Sequence, residues 1–285
     1  MCADEEEEKR SMEGINEEEE IRIALNREGY AFQQAVRKRL QSLKWHTSTE
    51  YPYSLDGYLK GRMPTLKDPY IIDILGSKRV ENIVSPGWKG IRLIVECKKG
   101  YQQRKKWVFL KTEEHQPFAW CIENKGSINN VIEVETTETL DFKPETLVIA
   151  DNSVSLKKKS GALKSEGPNS SIYKASNQVA HALFGIKKGV DFEMECNTSN
   201  ITEEIFLPIV MTNLPLYVAE LYNKNYKLST PNWVIYYFTP PTYLHTYADW
   251  GPQDPFDKPI MKLPIIFLNF GYIETFLEKI VSSFF

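Results

Sequence analysis

The chain has 285 residues, a length that fits one large α/β domain or two small ones, and at 42% hydrophobic and 26% charged its composition is that of a soluble globular protein. Its formal charge of −3 hides a segregation: residues 1–20 carry ten acids against Lys9 and Arg10, or −8, so the remainder is −3 − (−8) = +5. A mildly basic body suits a polyanionic partner, and a self-repelling acidic run reads as a disordered tail over residues 1–19.

Cys2, Cys97, Cys121 and Cys196 show no CxxC spacing, and no apolar stretch is long enough to span a membrane. These readings point to a reducing, cytoplasmic setting with no disulfide framework. His46, His115, His181 and His245 are scattered and lack metal-ligand spacing, and Gly185-Ile186-Lys187-Lys188-Gly189 lacks the order of a phosphate loop.

From about Ile21 to Leu43 the pattern is helical, with Phe32, Val36, Leu40 and Leu43 on one face and Gly29 as a break or as the true start. A Tyr-rich strand is expected around Glu50 to Leu55. Tyr70 to Leu75 is an apolar run interrupted only by Asp73, and Gly76 to Gly90 reads as a turn or hairpin excursion. Ile91 to Lys98 is the clearest strand, followed by β-like runs near Trp107, Phe118, Val131 and Leu147. Residues 151–171, rich in Ser, Lys, Gly and Asn, read as a long polar loop. Ile172, Ala175, Val179 and Ala182 predict a second helix. Strands follow at Ile205–Met211, Trp233–Phe238 and Ile265–Phe270, and an amphipathic helix over Tyr272–Phe284 closes the chain.

Side chains alternate along a strand, so Glu96 and Lys98 project together while Leu93, Val95 and Cys97 face the other way. An acid and a base at the end of an apolar strand are costly unless paired or used, and Asp73 poses the same problem on its own run. If the two strands are neighbours, Asp73 and Glu96 converge. Two converging carboxylates call for a cation, and oxygen ligands suit Mg²⁺ or Mn²⁺, with the main-chain carbonyl of Cys97 as a further ligand. Lys98 is then placed to orient or activate a water and to stabilise charge in a transition state. The spacing alone is weak, since Glu123-Asn124-Lys125 repeats it; the buried-strand setting, the upstream acid and the preceding helix separate Glu96 from that copy.

Asp73 followed by Glu96-Cys97-Lys98 on an apolar strand resembles the signature of the PD-(D/E)xK nuclease superfamily. The preceding helix with Gly29 and Phe32, ending in Leu43-Lys44-Trp45, resembles the Holliday-junction resolvase and type IV restriction-endonuclease branches, over about residues 20–110. The resemblance implies an α/β fold, a restriction-endonuclease-like mixed β-sheet flanked by helices, with a nuclease core over 20–150 and a large C-terminal α/β elaboration over 172–285. It implies a Mg²⁺- or Mn²⁺-dependent DNA endonuclease in genome defence or repair, with Asp73, Glu96 and Lys98 catalytic and DNA as partner. A homodimer, or a partner protein supplying recognition or motor activity, is compatible with it.

Three departures stand out. Ile72 occupies the position where the signature often has proline, the stretch between Asp73 and Glu96 is long, and the helix glutamate of these branches falls at Gln33. Glu28 or Glu50 is the alternative source of that carboxylate. Lys99, Arg104, Lys105 and Lys106 follow the site closely and are candidates for phosphate contact. The competing reading is a decayed nuclease fold serving as a DNA-binding or protein-interaction subunit.

Overall fold

A computed structural model describes residues 18–22, 29–53, 70–81, 88–100, 105–112, 119–125, 128–134, 149–159, 162–167, 170–195, 201–241 and 262–284. Residues 18–22 form a short helical turn, which takes in the last two residues of the expected tail; the rest of that tail lies outside the described residues.

Helix α1 (Tyr30–Ser42) begins where Gly29, at φ 85°, turns its carbonyl toward the amides of Phe32 and Gln33, each 3.0 Å away. Gly29 is thus the true start. Phe32, Val36 and Leu40 are buried at the expected i, i+4, i+8 spacing. The helix ends in a Schellman closure: Lys44 takes φ 63°, its amide donates to Gln41 O, and the Trp45 amide donates to Leu40 O. The Leu43-Lys44-Trp45 triplet therefore has a mechanical role. It stops the helix, and Trp45 packs in the same apolar cluster as Leu40.

Strands β1 (His46–Tyr53), β2 (Tyr70–Glu81) and β3 (Trp88–Lys98) form an antiparallel meander. The expected excursion between Gly76 and Gly90 is largely strand, because both arms of the β2–β3 hairpin extend into it. After β4 (Lys105–Lys111), β5 (Ala119–Lys125), β6 (Ile128–Val134), β7 (Ile149–Lys159) and β8 (Ala162–Ser165) comes helix α2 (Ser171–Glu195). It leads into β9 (Ile201–Thr212), which lies parallel to β3 from Trp88↔Ile201 to Lys98↔Thr212. Strands β10 (Leu216–Tyr222), β11 (Asn225–Ser229), β12 (Trp233–Phe238) and β13 (Leu263–Asn269) precede a 3₁₀ turn (Phe270–Tyr272) and helix α3 (Ile273–Phe284).

The result is a mixed α/β architecture, a large mixed sheet flanked by few helices. The strand order is β1-β2-β3-β9-β13-β12-β7-β4-β10-β11, with β5 against β9 and β6, and β8 against β7. The C-terminal half supplies β9, which pairs with β3 along its whole length.

The sheet is strongly curled. Thr212 and Leu216 are four residues apart, at most about 14 Å of chain. In a flat sheet β9 and β10, five positions apart in the order, would be separated by about 24 Å. Curling brings Trp107 and Phe109 of β4 onto Phe267 of β13, with ring centroids 5.5 and 4.9 Å apart. Helix α2 closes this concave side with Ile172, Ala175, Val179 and Leu183, while α1 and α3 cover the opposite face.

The expected polar loop over 151–171 is corrected, since β7 runs through Lys159 and pairs antiparallel with β8, Ala162–Ser165. Ser155 and Glu166 anchor it to the rest of the fold. Ser155 is buried and donates to Glu166 at 2.5 Å, and Glu166 also accepts from the Ser171 amide and hydroxyl at the start of α2 and pairs with Lys105 at 3.2 Å. Against burial, which raises it, these bonds hold the Glu166 carboxyl down at about 2. No helix among the described residues is long and apolar enough to cross a membrane.

Candidate active site

Asp73 sits at a break in strand alternation. Ile72 and Leu75 join the cluster under α2, whereas Ile74 joins the cluster under α1, so the strict two-residue period fails at Asp73. The partner strand is irregular at the same level. Glu50 lies between Thr49, paired with Ile74, and Tyr51, paired with Ile72, and has φ 50°. A non-glycine residue held there is strained by roughly 1–2 kcal/mol.

The paired ladder between β2 and β3 ends at Ile74↔Val95, one step short of Asp73 and Glu96. Into that opening Asp73 Oδ2 accepts a hydrogen bond from the Cys97 amide at 2.6 Å. Gln33, buried on α1, approaches from the other side and donates from Nε2 to the Asp73 carbonyl at 2.8 Å. Helix, β2 and β3 thus meet at one residue.

Glu96 and Lys98 lie together on the α2 side, as alternation from Ile94 requires, while Leu93, Val95 and Cys97 pack in or against the cluster under α1. Lys98 Nζ reaches Glu96 Oε1 at 2.5 Å. Glu96 is only 3% exposed. Burial first, then the nearby Asp73 charge, push its carboxyl up to about 7, with Lys98 opposing. Asp73 is raised by burial and by Glu50, against the Cys97 amide bond and Lys98.

Burial and the Asp73 charge both raise the cost of ionising Glu96, and a single ammonium group only partly offsets it. A hard divalent cation suits that donor set. Asp73 and Glu96 carboxylates with the Cys97 carbonyl would hold it, waters completing the shell. Among the described residues, no group of three or more His, Cys, Asp or Glu side chains gathers as a metal cluster.

The remaining candidates divide. Glu50 is near enough to act on Asp73 electrostatically. Gln33 is at the site, but as a donor to the main chain. Lys99 follows β3 directly and is partly buried. Lys105 and Lys106 begin β4, with β9, β13, β12 and β7 between it and β3 in the sheet order, and they engage Glu166 and Tyr217. Glu28 and Arg104 lie outside the described residues.

One partly buried pair on this face has no counterpart in the sequence reading. Arg92 on β3 forms an ion pair with Glu204 on β9, beside a cavity of about 330 Å³ also lined by His46, Ser48, Ser77 and Arg79. Gly90 makes room for it, since a Cβ there would come within 3.1 Å of Glu204 Oε1. The available signal was Arg92 itself, a charge inside an apolar strand two turns of the pleat before Glu96.

Comparison with protein-family models, curated proteins and solved structures finds no match to this chain.

Proposed function

We propose that the chain is a metal-dependent nuclease of the PD-(D/E)xK type, built on a restriction-endonuclease-like core. One observation carries the reading: Asp73, Glu96 and Lys98 converge where β2 and β3 part, each on the strand where that signature needs it. The element order supports it. Helix α1, the β1-β2-β3 meander, then crossover helix α2 into a strand parallel to β3, is the order such a core requires, with β4 to β8 as an insertion.

In this reading Asp73 and Glu96 would hold Mg²⁺ or Mn²⁺, with the Cys97 carbonyl as a further ligand. The bound ion supplies charge neutralisation at the phosphodiester and a more acidic water. Lys98 positions that water and faces the charge that grows on the phosphoryl oxygens. The Cys97 amide fixes the Asp73 carboxylate, and Gln33 fixes the main chain behind it. DNA is the proposed substrate, in keeping with the basic body of the chain. Genome defence or repair is the corresponding setting.

Plasmid nicking tests the proposal. Wild type cuts with Mg²⁺ or Mn²⁺ and not with EDTA, and Lys98→Ala loses at least about 100-fold while its circular dichroism and melting remain those of a folded protein. Equal behaviour of wild type and Lys98→Ala on DNA and RNA substrates sinks the proposal. Gln33 favours a second reading, a nuclease fold that binds DNA or a protein partner without cutting. DNA binding that persists with no cleavage under any divalent ion selects it.

A further inference from the structure

Three rings meet at the end of the sheet that carries the carboxylates. Tyr53 and Tyr70 are register partners on β1 and β2, with centroids 5.7 Å apart and ring planes 24° from parallel. His181, from α2, lies 5.3 Å from the Tyr70 ring. Tyr53 and His181 are buried, yet Tyr70 remains 51% exposed. A ring backed by a second ring and flanked by a third loses little freedom when a planar ligand settles on its open surface.

Position gives that surface a ligand. Tyr70 precedes Asp73 by three residues, about 10 Å along the strand. Its contact with α2 places it on the side of the sheet where Ile94 packs against α2 and where Glu96 and Lys98 project. Resting on the nuclease reading of that site, we infer that Tyr70 is a stacking platform for one unpaired nucleobase of the strand being cut. Bases inside a duplex already have neighbours on both faces. A base reaches Tyr70 only if it is single-stranded, splayed or frayed, which makes the substrate class a nucleic acid with unpaired bases beside the cleaved bond. Stacking on an aromatic side chain is tolerant of base identity, so the platform would select for strandedness rather than for sequence.

The test uses the full chain in EDTA, so that nothing is cut, and a single-stranded DNA oligonucleotide carrying one 2-aminopurine, alone and annealed into a full duplex. The expected result is quenching of 2-aminopurine emission with the single strand and little with the duplex. Tyr70→Ala and Tyr70→Leu should each weaken single-strand binding roughly ten- to hundredfold and abolish the quench, while Tyr70→Phe retains both. Tyr70→Leu keeps the bulk over Tyr53, so it reports on the ring if the alanine variant does not fold. Unchanged affinity and quench in the folded Leu variant overturn the inference, as does failure of wild type to bind either DNA. Cleavage with Mg²⁺ or Mn²⁺ is scored separately: cutting without quench leaves the nuclease and removes the platform, whereas quench without cutting does the reverse.

Discussion

Gln33 Nε2 and the carbonyl oxygen of Asp73 are 2.8 Å apart, and this bond ties the first helix to the strand that carries the acid. A glutamate in that place would offer oxygens to an oxygen. Gln33→Glu should therefore lower stability at neutral pH by about 1–3 kcal/mol, the cost of losing a bond and opposing a buried acceptor. Part of the loss should return in acid, where a protonated Glu can donate again. Urea unfolding at two pH values checks both statements.

Glu96 makes stability depend on pH in a defined direction. Its folded value, about 7, lies above the ordinary 4.5, so the native state keeps a proton that the unfolded chain has released. The contribution is complete below about 4.5 and is lost as pH rises through about 7, a fall of about 3 kcal/mol. Melting curves should show this slope in wild type and not in Glu96→Gln. Mn²⁺ at a hundredfold excess over its dissociation constant should restore about 2.7 kcal/mol to wild type at pH 8, and little to Glu96→Gln.

Glu50 holds a conformation that glycine adopts freely. Glu50→Gly should be more stable than Glu50→Ala by about 1 kcal/mol, an inversion of the usual order within strands. Either change removes a like charge from Asp73, so the Asp73 carboxyl should move down toward its ordinary value. Denaturation of the two variants and an NMR titration of Asp73 decide these points.

Gly29 and Gly100 should fail for different reasons. A Cβ at Gly29 meets nothing within 4 Å, but φ is 85°, so Gly29→Ala costs about 1 kcal/mol of backbone energy that no second-site change repairs. At Gly100 a Cβ would fall 2.1 Å from Leu214, while the Gly100 amide binds Asn213 Oδ1 at 2.9 Å. Gly100→Ala should cost more, and Leu214→Ala should recover part of it. Thermal denaturation of the double variant is the check.

What local sequence can reveal tracks what is decided locally. Helix α1 was legible because Phe32, Val36 and Leu40 repeat at helical spacing, and β3 because Leu93, Ile94 and Val95 make an apolar run that ends in Glu96 and Lys98. The pairing of Glu96 with Lys98 followed from alternation alone. Alternation failed at Asp73, where both strands change face, and the Cys97 amide bond arises from that irregularity. Strand β7 was hidden because Ser155 and the lysines that follow it look like loop composition, and the partners of Ser155, Glu166 and Ser171, come from later in the chain. Strands β10 and β11 were missed because Asn223 and Lys224, at φ 47° and 65°, make the hairpin turn without glycine. Leu221, Tyr222, Tyr226 and Leu228 are exposed there, and apolar residues facing solvent give no inward–outward rhythm to read.

The position of β9 has a consequence for timing. Glu96 is aligned with Val210, 114 residues later in the chain. During synthesis β2 and β3 emerge early with one flank of β3 open, and the carboxylates stand at the margin of a partial sheet, in water. Their burial, and the proton affinity that comes with it, must wait until α2 has crossed over and β9 has been made. Contacts of such sequence separation form slowly, because the loop must close before the strand can pair. A nascent chain halted near residue 150 would carry Asp73, Glu96 and Lys98 and still lack the desolvated pair, so burial of these carboxylates is coupled to completion of the sheet.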